Sequence, residues 1–129
     1  MSRAIVRNGP AYFANVPIKR GDDVSLLWEL FESYAGVDGD TTTVALDLTG
    51  RTYTSSIANT QGGTVVSAAA PSVSTPTPSN GQIVWALTDT QTDALTARTY
   101  VFDIIENAGT ASERTIIEGT LAVSGRATP

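Results

Sequence analysis

From Thr99 onward the chain alternates. Tyr100, Phe102 and Ile104 fall on one side of an extended strand, and Val101, Asp103 and Ile105 on the other. After the polar run Asn107-Ala108-Gly109-Thr110-Ala111-Ser112 the chain returns through residues 114–123, with Ile117, Leu121 and Val123 sharing a face. Two such runs around an Asn/Gly/Ser loop predict an antiparallel hairpin with a mobile tip. Residues 24–31 alternate in the same way: Val24, Leu26, Trp28 and Leu30 on one face, Ser25, Leu27, Glu29 and Phe31 on the other. The second face is partly apolar, which predicts cover on both sides. A helix is compatible with that composition, but Val24 and the aromatic residues favour a strand. Ile83, Trp85 and Leu87 mark another strand in residues 81–87.

Shorter segments fill the rest. Residues 1–10 are polar, end in the turn signal Asn8-Gly9-Pro10, and predict an arm rather than a core strand. Residues 11–16 suit an edge strand stopped by Pro17. Residues 43–46, 51–57 and 64–68 suit short strands, and the Pro/Ser/Thr-rich residues 70–80 an extended surface connection. Asp89 and Asp93 in residues 88–97 predict a capped helical turn. Tyr100 opens its strand just after a tight polar corner, so it is either a tyrosine corner tied to upstream backbone or a half-buried aromatic with its hydroxyl in water. The sum is an all-β fold: one Ig-like antiparallel β-sandwich of seven to eight strands with about one helical turn. The expected divisions are an N-terminal arm and edge strand at 1–17, the sandwich at 18–125 and a tail at 126–129.

Composition narrows the chemistry. The 129 residues fit one domain, and six prolines with eleven glycines cut the chain into short segments. A net charge of −5 argues against general affinity for nucleic acid. Cysteine and histidine are both absent, which removes disulfides, thiolate chemistry, the commonest general base and most transition-metal sites. No apolar run approaches a membrane span, and the basic N-terminus lacks the apolar stretch of a signal peptide, so synthesis in the cytoplasm without a leader is expected.

The remaining motifs favour plain structure over chemistry. Arg20-Gly21-Asp22 spells an integrin-binding tripeptide, yet glycine before two aspartates is an ordinary turn. Asp38-Gly39-Asp40 resembles the start of a calcium loop, but Thr41-Thr42-Thr43 follows where more carboxylates are needed. Glu29, Glu32, Asp103, Glu106 and Glu118 are available as a carboxylate pair, with nothing in the sequence to set two of them together. Trp28, Trp85, Tyr53 and Tyr12 have faces suited to sugar rings, but both tryptophans lie on apolar strand faces and read as core. No enzyme activity and no cofactor are expected.

Five motifs in order resemble a family. Gly21-Asp22-Asp23 opens a long apolar strand; Asp47-Leu48-Thr49-Gly50 forms a turn; Gly81-Gln82-Ile83-Val84-Trp85 starts another strand. Tyr100-Val101-Phe102-Asp103 and Gly119-Thr120-Leu121-Ala122-Val123 complete the series. Together, over about residues 18–125, they look like the small β-sandwich domains of tailed-phage virions, above all the N-terminal domain family of upper baseplate proteins. Arg98 stands where that family usually has glycine. The resemblance implies a non-enzymatic virion structural protein, a tail-tip or baseplate subunit assembling in multiple copies. Capsid decoration and a carbohydrate-binding host-attachment module are the alternatives. Its partners would be other virion proteins and copies of itself, with no nucleic acid or membrane; a host-surface glycan is less favoured. Candidate partner contacts are Arg3, Ile5, Val6 and Arg7 in the arm and Leu27, Phe31, Val101, Ile105 and Ile116 on outward strand faces.

Overall fold

The computed structural model describes residues 2–5, 12–35 and 41–125. Among these, nine strands form: β1 (Ser2–Ile5), β2 (Tyr12–Lys19), β3 (Val24–Ala35), β4 (Thr41–Ala45), β5 (Tyr53–Ala58), β6 (Ser72–Ser74), β7 (Gln82–Leu87), β8 (Thr99–Glu106) and β9 (Arg114–Ser124), with one short helix, α1 (Asp89–Asp93). They make two sheets. One runs β1-β3-β7-β6 with β4 also against β3, and the other runs β2-β9-β8-β5. This is the expected all-β sandwich.

The alternating faces meet between the sheets. Trp28 and Leu30 from β3, Ile83, Trp85 and Leu87 from β7, Tyr100, Phe102 and Ile104 from β8, and Leu121 and Val123 from β9 are all buried in one core. At its centre Trp28 meets Trp85 edge-on, with ring centroids 6.3 Å apart, and stacks on Phe102 at the same separation. The Trp85 indole N–H donates to Ser55 Oγ at 2.9 Å, so this polar atom is buried with its partner.

The corner between the sheets forms as a tyrosine corner: the Thr96 amide donates to the Tyr100 hydroxyl at 3.0 Å. The helical turn before it has a reciprocal cap. Thr88 Oγ1 accepts from the Gln91 amide, and the Gln91 side chain accepts from the Thr88 amide. Gly81 sits where β4 and β7 meet along one edge of β3. The Leu30 amide donates to the Gly81 carbonyl at 2.8 Å, and the Leu46 amide to the Leu30 carbonyl at 2.9 Å. With φ at +70°, and a Cβ there falling 2.4 Å from the Leu30 carbonyl oxygen, only glycine fits.

Several expectations are corrected. Residues 2–5 of the supposed arm form β1, which pairs in parallel with β3 from Ser2↔Trp28 to Ile5↔Phe31. β2 does not stop at Pro17 but runs to Lys19, parallel to β9. As an edge strand of its sheet it tolerates a residue with no amide to donate. Strands β1 and β2 thus give the sandwich two parallel pairs and raise its count above seven or eight. Residues 64–68 hold only a bridge from Val65 to Ala58 and the start of a 3-10 turn, while the 70–80 connection contains β6. The hairpin tip is tied internally: the Gly109 amide donates to Glu113 Oε1 at 2.8 Å, and Thr110 Oγ1 to the Asn107 carbonyl at 2.7 Å.

Ile116 is the correction that matters most for contacts. Strict alternation from Ile117 turns it outward, but it is buried beside Ile117. The register between β8 and β9 slips there, Ile104 facing Ile117 and Ile105 facing Thr115, so Ile116 is the extra residue of a β-bulge. The bulge rotates both isoleucines into the core.

Candidate functional site

The outward face of the β2-β9-β8-β5 sheet carries an arrangement that core packing does not absorb. Cross-strand register places Phe13, Glu118, Asp103 and Ser56 in one row across all four strands. Asn15, Thr120, Val101 and Ala58 form the next row. Both rows follow from period-2 alternation, since Ala14, Phe102 and Ile57 between them point inward to the core.

A groove of about 440 Å³ lies over these rows. Phe13, 58% exposed, forms one wall; Gln61, Gly62, Gly63 and Val65 form the other. That second wall stands because the chain after β5 folds back on itself. The Asn59 amide donates to the Thr64 carbonyl, Gly63 to Thr60, and Val66 to Ile57. Gly119 lies in the floor, and a Cβ there would fall 1.7 Å from the Ala14 carbonyl oxygen. Its lack of a side chain lets β2 approach β9 and bring Phe13 to the rim.

Asp103 and Glu118 face each other directly on neighbouring antiparallel strands, a placement that puts their Cβ atoms roughly 5 Å apart and makes like charges destabilising. Among the described residues, no lysine or arginine lines the groove. The Asp103 Oδ1 atom is buried and has no hydrogen-bond partner among the described residues. Burial holds the Asp103 carboxyl above the usual carboxylate range, a hydrogen bond from the Ser56 amide pulls the other way, and the charge of Glu118 adds to the rise. Both side chains leave the same face of the sheet, so they address one side of a ligand. They do not flank a bond from opposite sides, as acid and nucleophile do in glycoside cleavage.

A pH dependence follows. Because the folded state raises the Asp103 pKa above its unfolded value, the protein takes up a proton at this site on folding. The stability this proton contributes is full below the unfolded pKa and is lost as pH rises through the folded one. Asp103→Asn should flatten that decline in urea melts recorded from about pH 3 to about pH 7. Curves for variant and parent that stay parallel would contradict the assignment.

The predicted contacts divide among several places. Val101 lines the groove and Ile105 lies farther along the same face of β8, whereas Leu27 and Phe31 are half-buried on the outward face of β3, in the other sheet. Val6, Arg7 and the Asp38-Gly39-Asp40 loop lie outside the described residues, as do the side chains of Arg3 and Ile5. The Arg20-Gly21-Asp22 turn is packed down on α1. Thr92 Oγ1 accepts from the Gly21 amide at 3.0 Å and donates to the Asp22 carbonyl at 2.8 Å, and Arg20 donates to the Asp93 carbonyl at 2.9 Å. Sequence reasoning named Asp103 and Glu118 only as two carboxylates among five. Phe13 and the Gly62-Gly63 wall were missed, although an aromatic on the outward side of an edge strand was the available signal.

Comparison with known proteins adds little. No family model matches the chain, and no curated protein matches its sequence. Among solved structures, the solution structure of amebosin matches 90% of this chain and 100% of that chain at 11% identity, with a TM-score of 0.34.

A second polar cluster lies at the end of β5. The Glu106 carboxylate is buried, takes 3.3 Å contacts from Arg51 to both oxygens, and accepts from the Tyr53 hydroxyl at 2.8 Å. Burial, then the Glu106 hydrogen bond, push the Tyr53 phenol far up, so it remains a donor throughout the ordinary pH range. This cluster is complete in itself.

Proposed function

We propose that the chain is a non-enzymatic structural subunit of a tailed-phage virion, assembling in multiple copies at the tail tip or baseplate. The observation that carries the assembly reading is the outward display of Phe13 and Val65 at the groove, with Val44 exposed on the other sheet, by a domain whose core is already filled. Large apolar side chains left exposed around a groove mark contact surfaces. The virion assignment rests on the ordered motifs, and each falls where its residues have structural work. Gly21 turns the chain into β3 with φ at +81°, the Thr49 amide donates to Asp47 Oδ1 at 3.0 Å, and Gly81 and Gly119 permit close backbone approach.

Capsid decoration draws on the same support. Carbohydrate binding has a separate observation in its favour, the exposed Phe13 ring beside two carboxylates. A glycan array separates it from the subunit reading. The purified chain should bind at background, and saturable binding lost on Phe13→Ala would overturn the structural role in favour of host attachment.

A further inference from the structure

We infer that the groove between Phe13 and the Gly62-Gly63 wall receives an arginine side chain from an extended segment of a neighbouring subunit, its guanidinium bridging the Asp103 and Glu118 carboxylates. The source of the arginine rests on the assembly reading. The chemistry of the groove does not.

Charge complementarity selects the occupant. The floor holds two facing carboxylates and the described lining has no cation, so among the described residues the like-charge pair is uncompensated. Neither carboxylate is in an ion pair with a described residue. The buried Asp103 Oδ1 has no donor among the described residues. A planar guanidinium, with five N–H groups in a fixed fork, supplies donors to two carboxylates at once; an ammonium acts as a point charge. The same chain shows the completed counterpart at Glu106, where Arg51 reaches both carboxylate oxygens and Tyr53 adds a third donor. At Asp103 and Glu118 the acidic half of such an arrangement is present without its arginine.

The walls fit the rest of the side chain. Phe13 offers an exposed ring beside Glu118, against which an arginine stem or the guanidinium face packs. The two walls rise at the β2 and β5 margins of the sheet, so the groove runs along β8 and β9. Three inter-strand spacings separate these margins, about 14 Å, which leaves room between the walls for an extended segment. Gly62 and Gly63 carry no side chain to narrow it.

The test is an NMR titration of the full chain, with amide shifts followed as Nα-acetyl-arginine amide is added and Nα-acetyl-citrulline amide as the neutral isostere. Saturable shifts should centre on Ser56, Asp103, Glu118 and Thr120, with the citrulline compound producing none. Loss of the charge-assisted hydrogen bonds in the Asp103→Asn/Glu118→Gln double variant should weaken binding roughly tenfold or more. Phe13→Ala, at an exposed position, should weaken it without disturbing the fold. Equal binding of citrulline, or undiminished binding by the folded double variant, overturns the inference. So does an absence of saturable shifts, even if the chain proves to be a virion subunit. Arginine binding by a chain absent from particles would uphold the groove chemistry and overturn only its assignment to a neighbouring subunit.

Discussion

Trp85→Ala should lower the free energy of unfolding by about 3–5 kcal/mol, the range for removing a large aromatic from a packed core. Domains of this kind have about 5–15 kcal/mol in total, so the variant should lose a large share of its stability. Two losses combine. The side chain leaves a cavity against Trp28 and Phe102, whose ring centroids lie 6.3 and 5.5 Å from its own. Ser55 Oγ also loses the indole N–H that donates to it. Trp28 tests the division between these terms. Its ring is equally buried, but its N–H has no partner among the described residues. Trp85→Phe should therefore cost more than Trp28→Phe, because only the first breaks a buried hydrogen bond. Urea melts followed by circular dichroism give both comparisons. The reverse order would show that the Ser55 contact contributes nothing.

Arg51→Met should be nearly as damaging, at about 3 kcal/mol, the low end for breaking a buried ion pair because Arg51 itself is partly exposed. The loss comes from Glu106, whose side chain is only 5% exposed and keeps the Tyr53 hydroxyl as a side-chain donor among the described residues. If desolvation of that carboxylate is the cause, removing all the polar groups together should relieve it. Arg51→Met, Tyr53→Phe and Glu106→Leu combined should recover most of the lost stability. A single Arg51→Met that melts like the parent would mean that water reaches the carboxylate when the guanidinium leaves.

Much of the core was legible because period-2 alternation is a local property. Residues 24–31, 81–87 and 99–105 each declare their inward face without reference to any other segment. The capped turn after Thr88 and the Tyr100 corner were legible for the same reason, since their partners lie within four residues. What was missed depends on pairing. Ile116 turns inward only because the β8–β9 register slips by one residue, and no pattern within residues 114–123 announces that slip. β1 is four residues long and takes its strand character from parallel pairing with β3.

The candidate site lies at the same limit. Alternation put Asp103 on the outward face of β8. That it faces Glu118, with Phe13 beyond it in the same row, is a consequence of the register between three strands. Glu106 shows the opposite failure: alternation correctly continues the inward series from Tyr100, but a charged residue was not expected to be buried there. Arg51 and Tyr53, which compensate it, lie more than fifty residues away in sequence.

The proposed role stands on where the protein is found. Electron microscopy of intact phage particles labelled with an antibody fragment against this chain tests it most directly. Label repeated at the tail tip or baseplate is the predicted result; label spread over the head would move the subunit to capsid decoration. Purified, intact particles that carry no label, while the same fragment detects the free chain, would contradict the structural role.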